Sequence, residues 1–322
     1  MGSRRRDGGG STSATGPDVR SAEDFEQLRP LLLSIAYRIL GSISEAEDAV
    51  QETWLRYQAT TSPPVSLKSY LSAVVTRLSI DVLRSARVRR ETYVGHWLPE
   101  PILTDSGQAY VDPERAAELA DSLSMAALLV LERLSPEQRA VFVLHDVFGF
   151  PFGEIAAVVG KSEPACRQLA SRARHHMDEG RPRFDVDHRE RDELAERFFD
   201  ALTIGDVDGL QELLATNVEV YGDGGGNAPQ WMRTVVGIDN VARLFGGLGQ
   251  RFAGTGLQIA RHEVNGQPGA VLRDPDGKVI NVLALDIVDG RIQTIRSVIN
   301  PDKLHHLGPV ADAWALMRQT RP

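Results

Sequence analysis

The sequence is short of cysteine, of long apolar runs and of positive charge, and each shortage closes off a class of protein. One cysteine in 322 residues, Cys166, excludes an intrachain disulfide framework and a cysteine-rich zinc site, and suits a reducing cytoplasm. No apolar run is long enough to cross a bilayer, the stretch Met125 to Leu131 being typical of the longest. Residues 1–20 are rich in Gly, Ser, Thr and Arg and lack the apolar core of a signal peptide, so a disordered tail is expected there, not an export signal. The expected setting is cytoplasmic, with no membrane partner. The formal net charge is -8, which as a total is wrong for a nucleic-acid binder.

What positive charge there is comes in two clusters. Arg84, Arg87, Arg89 and Arg90 form one, and Arg167, Arg172, Arg174, His175 and His176 the other. Acid collects at Glu45, Glu47, Asp48 and Glu52 and from Asp185 to Glu196. Two separated basic faces in an acidic whole suit a protein that meets DNA with help from a larger partner.

The chain is long enough for two or three compact domains, and its first half reads as helices. Ser21 with Asp24 has the pattern of a capping box, and Phe25, Leu28, Leu32, Ile35 and Ile39 follow at helical spacing until Gly41-Ser42. Ser44 with Glu47 is expected to open a second helix carrying Ala49, Val50, Thr53, Trp54 and Tyr57. Pro63-Pro64 mark a loop over Ala59 to Ser66, and a third helix is expected from Leu67 to about Arg90. Periodicity then disappears from Thr92 to Pro113, a linker made unusually apolar by Trp97, Leu98, Pro99 and Ile102. Asp112-Pro113 and Ser135-Pro136-Glu137-Gln138 read as helix starts. A short helix over Phe152 to Val159 ends at Gly160, and Ser162 caps a longer one from Glu163 to about Met177.

Past Arg181-Pro182 the pattern changes. Helices are expected over Glu190 to Thr203 and around Leu210, then strands over Val218 to Tyr221, Leu257 to Val264, Ala270 to Arg273, Val279 to Val288 and Arg291 to Val298. Asp276-Gly277 and Asp289-Gly290 supply hairpin turns, and a loose helix or tail follows Gly308. Helices first and a mostly antiparallel sheet after them make an α+β domain.

The strongest local signal for function is Phe150 to Met177, a helix-turn-helix. Ile155, Val158 and Leu169 can face a core while Arg167, Gln168, Ser171, Arg172 and Arg174 face outward, a set suited to the major groove. A helical hairpin with a solvated basic face has the same pattern. Cys166 falls on the inner edge, where a small buried hydrophobe is the simpler reading than a redox thiol.

Three motifs taken together carry a resemblance. AEDAVQETWLR from Ala46, SYLSAVVTRLSIDVLRSARVRR from Ser69 and LSPEQRAVFVLHDVFGFPFGEIAAVVGKSEPACRQLASRAR from Leu134 resemble, in that order and spacing, regions 2 and 4 of an extracytoplasmic-function (ECF) sigma factor of the sigma-70 family. WLPEP at Trp97 to Pro101, DGGG at Asp223 to Gly226 and NPDKL at Asn300 to Leu304 are similar to the SigJ-type subgroup, which carries a fused SnoaL-like, nuclear-transport-factor-2-like C-terminal domain. That subgroup often has Lys after DGGG, where this chain has Asn227.

The resemblance implies two all-α sigma modules followed by an α+β cone. It implies a tail over 1–20, region 2 over 21–91, a linker over 92–113, region 4 over 114–180, a SnoaL-like regulatory domain over 188–300 and a tail over 301–322. The implied partners are core RNA polymerase, through its β′ clamp helices, and promoter DNA; no cofactor and no metal are implied. Asp48, Gln51, Glu52, Trp54 and Leu55 fall where region 2 grips the clamp. Lys68, Tyr70, Arg77, Arg84 and Arg87 fall in the segment that opens and reads the minus-ten element, and the Ala59 to Ser66 loop is placed to hold a flipped base. Arg167, Gln168, Ser171, Arg172 and Arg174 fall where the minus-thirty-five element is read, with His145 at a position where relatives often have Arg.

For the C-terminal cone, a small apolar ligand is a possible occupant, and Tyr221, Asp223 and His262 are the candidates for any isomerase-like chemistry. Asp223 among glycines has the simpler role of a turn or docking surface. A regulatory contact is expected between Trp97, Leu98 and Pro99 of the linker, Asp223, Gly224, Gly225 and Gly226 of the turn, and Asn300, Pro301, Asp302 and Lys303 after the last strand. An ordinary helix-turn-helix regulator would have no use for AEDAVQETWLR. An enzyme with a DNA-binding appendage would require turnover in the second half.

Overall fold

The computed structural model describes residues 18–105, 122–180 and 188–319; inside helices, the side chains of 18–21, 86–91, 180 and 188 fall outside the description. The tail before Asp18 and the expected Asp112-Pro113 helix start therefore lie outside the described residues.

Three helices form the first module: α1 (Asp18–Leu40), α2 (Ile43–Gln58) and α3 (Leu67–Glu91). The first starts at Asp18, ahead of the expected cap, so Ser21 lies within it. Ser42, not Ser44, caps α2 by accepting from Glu45 N. The register moved because Ser42 and Ser44 both serve a carboxylate from the linker, described below. A second helical module contains α4 (Met125–Glu132), α5 (Pro136–Phe142), a π-turn over Val143–Val147, α6 (Phe152–Val159) and α7 (Glu163–Gly180). The Ser135–Gln138 capping box forms as expected, and Gly160 at φ 66° ends α6. One continuous apolar core runs through both modules, from Phe25 and Leu32 to Cys166 and Met177. The two modules are thus packed on each other.

The second half has α8 (His188–Ile204), α9 (Val207–Leu213), β1 (Leu214–Asp223), β2 (Val235–Val236), α10 (Ile238–Phe252), β3 (Gln258–Val264), β4 (Gln267–Arg273), β5 (Val279–Val288) and β6 (Arg291–Val298). Two single turns (Pro301–Lys303 and His305–Leu307) and α11 (Ala313–Gln319) follow. The sheet order is β2-β1-β6-β5-β4-β3, with β1 parallel to β6 and every other pair antiparallel. This is the α+β cone the sequence implies. Strand alternation divides it into two faces. Leu283, Leu285 and Ile295 meet Phe198, Phe199 and Phe245 of the helices, while Val282, Ala284 and Val298 face Leu98, Leu103 and Met125 from the sigma half.

The structure departs from the sequence reading at two places here. Helix α10 falls in a segment, rich in glycine at Gly246, Gly247 and Gly249, for which no element was expected. Gly246 and Gly249 are what lets it pack: a Cβ on Gly249 would lie 2.0 Å from Leu202 O, and one on Gly246 2.5 Å from Val207 Cγ2. The segment after Gly308 forms a helix, as one form of the expectation had it, but a packed one. Val310 pairs in parallel with Val279, and α11 lies over the mouth of the cone.

Candidate functional site

The recognition helix α7 presents what its spacing implied. Cys166, Ala170, Ala173 and Met177 are buried, and burial pushes the Cys166 thiol pKa up, so it acts as a packing group. Arg167, Gln168, Ser171, Arg172 and Arg174 are all exposed. Arg167 pairs with Glu163 and lies 5.2 Å over the Phe152 ring, and Arg174 Nε donates to Asp146 at 2.5 Å. Gln168, Ser171 and Arg172 lie between them on the open face. His145 is absorbed into the module, its Nδ1 2.9 Å from Phe150 O and its ring 3.8 Å from that of Phe152.

Along the helix of the other basic cluster, the basic side chains that are described have partners within the protein. Arg77 donates from Nη2 to Ala157 O at 2.8 Å and from Nε to Val158 O at 3.2 Å, satisfying carbonyls at the end of α6. Arg84 pairs with Glu137 at 2.6 Å, and Lys68 Nζ lies 5.9 Å from the Phe150 ring. Tyr70 shares a hydroxyl hydrogen bond with Thr60 at 2.9 Å. Arg87 sits on the same helix, with its side chain outside the described residues. On α2, Asp48, Gln51 and Leu55 are exposed. Glu52 pairs with Arg56, and Trp54 packs against Phe25 in a tilted contact with ring centres 4.9 Å apart.

A third feature joins the two halves. Asp223, at the end of β1, has no exposed surface. Its Oδ1 accepts from the Tyr93 hydroxyl at 2.5 Å, and its Oδ2 accepts from Leu98 N at 2.8 Å and from Lys303 Nζ at 2.7 Å. Lys303 also donates to Leu98 O and lies 4.5 Å over the Trp97 ring. Asn300 Nδ2 donates to Tyr93 Oη at 2.8 Å. Gly225, at φ 58°, is required twice over, since a Cβ there would stand 2.3 Å from Asn300 Nδ2 and 3.0 Å from Tyr93 Oη. Asn227, the departure from the subgroup pattern, donates to Asp302 at 2.9 Å. Trp97 and Leu98 of the linker, Asp223 and Gly225 of the turn, and Asn300 and Lys303 after the last strand thus meet in one lock, with Pro301 in the turn that delivers Lys303.

Several residues of this lock were not anticipated. Glu100 of WLPEP is buried and accepts from Ile43 N and Ser42 Oγ, both at 2.8 Å, so the linker itself caps α2. Glu100 N donates to Gly41 O, seating the linker on the α1–α2 turn. Asn265, in the β3–β4 turn at φ 53°, accepts from Ile102 N and donates to Tyr37 Oη at 2.7 Å and Leu123 O at 3.1 Å. One turn of the cone therefore touches the linker and both helical modules. His306 Nε2 lies 2.7 Å from Pro101 O, and burial lowers its pKa.

The candidates for catalysis are not brought together. Asp223 is committed to the lock, Tyr221 donates to Glu219 at 2.7 Å, and His262 faces Asp105 at 3.3 Å. The cone encloses a cavity of about 740 Å³, and none of the three lines it.

Comparison with known proteins agrees with this architecture. Residues 25–89 match the family Sigma-70 region 2, and residues 124–177 match Sigma-70, region 4. The chain is 43% identical over 296 residues to the ECF RNA polymerase sigma factor SigJ of Mycobacterium tuberculosis, covering 87% of this chain and 92% of that one. It is 34% identical to the probable ECF RNA polymerase sigma factor SigI of the same species, covering 87% and 93%. The crystal structure of SigJ superposes with a TM-score of 0.68 at 39% identity, covering 88% of this chain and 98% of that one. The chain belongs to the ECF sigma factors of the sigma-70 family. It directs RNA polymerase to promoters and is an initiation factor, not an enzyme.

Proposed function

We propose that the cone regulates the sigma factor to which it is fused, by fixing the linker between regions 2 and 4. The observation that carries this reading is Asp223, a fully buried carboxylate whose partners are two linker groups and one lysine. A buried charge is maintained only with its partners in place, so the lock is either made as a unit or lost as a unit. Regions 2 and 4 lie together on either side of the linker. In that arrangement Lys68, Arg77 and Arg84 are turned to region 4 instead of a minus-ten element. Promoter opening by Lys68, Tyr70, Arg77, Arg84 and Arg87 then requires the modules to part, while Arg167, Gln168, Ser171, Arg172 and Arg174 read the upstream element. Asp48, Gln51, Glu52, Trp54 and Leu55 are the surface for the polymerase β′ clamp helices. The same reading gives the cone a small organic occupant, since its cavity has the size of a ligand site.

The test is transcription in vitro with core RNA polymerase, on promoters recovered by selection with the wild-type holoenzyme. Gly225→Val and Trp97→Ala should each change transcript yield by about fivefold, the scale of an ordinary coupling between sites. A rise identifies the lock as a brake, and a fall identifies it as a brace that sets module spacing. Wild-type yield from both variants overturns the proposal.

A further inference from the structure

Another cavity lies outside the cone, where the helical half rests on the outer face of the sheet. It holds about 490 Å³ and takes its walls from three parts of the molecule. Leu129 and Arg133 come from region 4, and His96 and Trp97 from the linker. The cone supplies a square of side chains on one face of neighbouring parallel strands, with Glu219 opposite Thr294 and Tyr221 opposite Arg296.

The charges of this cavity are unevenly satisfied. Glu132 is spent on Arg139 at 2.7 Å, and Arg296 Nη1 donates to Asp286. Arg296 is only 6% exposed, yet its Nε has no hydrogen-bond partner. A guanidinium offers its donors as a fixed fork, and an orphaned buried N–H in that fork is a place for an acceptor. Arg133 is exposed and has no ion pair among the described residues. Both guanidiniums bear on the Tyr221 hydroxyl: burial and the bond to Glu219 raise its pKa, while Arg296 and Arg133 pull it down. Tyr221 donates to Glu219 Oε2, which leaves Oε1 without a partner among the described residues. The rings of His96, Trp97 and Tyr221 add flat apolar wall, His96 and Tyr221 meeting edge to face with centres 5.3 Å apart.

Each feature selects one part of a ligand. The guanidiniums select a carboxylate, the rings a planar aromatic body, and Glu219 a hydroxyl that donates. Asp286 already balances Arg296, so Arg133 supplies the one uncompensated positive charge, and Glu219 opposes any second negative one. A monoanion is therefore favoured over a phosphate. Because region 4, the linker and the cone each own a wall, the cavity is whole only while they are docked. A ligand that needs all three walls stabilises the docked arrangement by mass action.

We propose that this cavity is a site for a hydroxylated aromatic monocarboxylate, and that the bound acid clamps region 4 and the linker to the cone. The clamp rests on the regulatory reading above; the site does not.

Calorimetry on the full-length protein compares three probes of one shape: hydroxynaphthoate, its uncharged amide, and methoxynaphthoate, which has no hydroxyl to donate. Hydroxynaphthoate should bind about tenfold more tightly than the amide and about fivefold more tightly than the methoxy acid, the scales of a charged and a neutral hydrogen bond. Arg133→Gln should lower the preference for acid over amide about fivefold. Arg296→Lys should weaken the acid too, while keeping a cation beside Asp286, and Thr294→Trp should block all three probes. By reciprocity, Gly225→Val should weaken hydroxynaphthoate about fivefold, and saturating hydroxynaphthoate should move transcript yield in the direction opposite to that variant. Absence of binding to the folded protein overturns the site, as does binding indifferent to both Arg133→Gln and Thr294→Trp. Equal affinity for acid and amide overturns the anion, and equal affinity for the hydroxy and methoxy acids overturns the donor. Binding that leaves transcription unmoved, where Gly225→Val alters yield, overturns the clamp alone. Wild-type yield from Gly225→Val fells the regulatory reading and the clamp with it, whereas the site stands or falls on the binding measurements.

Discussion

The two basic faces of this sigma factor are alike in composition and differ in where their described arginines find partners, within their own module or across to the other one. On the recognition helix, Gln168, Ser171 and Arg172 stand open between two internally paired arginines. On the helix of region 2, Arg77 and Arg84 are spent on the α6 carbonyls and Glu137. Charge clusters in a sequence therefore indicate where DNA can bind, and only the packing says whether the surface is available. The difference also divides the energetics. Under the proposed reading, the open face contributes specificity when DNA arrives, whereas the engaged face must first give up its partners in region 4.

The comparison can be broken most forcefully at the lock. Lys303→Met leaves the Asp223 carboxylate buried without its counter-charge, and should cost about 3–5 kcal/mol of stability in the cone–linker contact. Urea unfolding measures the loss, and hydrogen exchange at the end of α6 should rise as Arg77 is released. A loss below about 1 kcal/mol would mean the lock does not hold the covered face. The open face gives the next effect. Gln168→Ala or Arg172→Ala should cost about 1–3 kcal/mol of discrimination at the upstream element, with core binding unchanged. Binding assays on single-base promoter variants decide it; uniform weakening across all sequences would make these residues phosphate contacts instead.

The smallest effect sharpens the contrast. Arg84 is more than half exposed, so a double-mutant cycle with Glu137 should give about 0.2–1 kcal/mol. The hydrogen bond to Arg84 holds the Glu137 carboxyl below its usual pKa. A carboxylate lowered on folding contributes stability above its unfolded pKa and loses it as pH falls through the folded value. The coupling should therefore be present at neutral pH and vanish in acid, and a cycle repeated at the two conditions checks the sign.

The recognition module was legible because its signals are local. Ser135 with Gln138, Gly160 and Ser162 mark its helix ends within three or four residues, and the outward set on α7 follows from periodicity alone. The lock was legible in part. An apolar linker without periodicity needed something to cover it, and glycines around Asp223 indicated a close backbone approach. Glu100 and Tyr93 were not, since their partners lie 57 and 130 residues away and no local pattern reports them. Asn265 had a signal that was passed over: Asn-Gly between two alternating stretches is a two-residue hairpin turn. Helix α10 was lost for the opposite reason, because glycines that serve tight helix packing look in sequence like interruptions.

The reach of Asn265 has a consequence in time. Its amide joins Tyr37, 228 residues earlier in the chain, and Lys303 closes the lock later still. A ribosome adds about 5–20 residues per second, so the interval between release of the recognition helix and completion of the clamp is on the order of ten seconds. During each synthesis the two DNA-reading modules exist for that interval before the part that fixes their linker has been made.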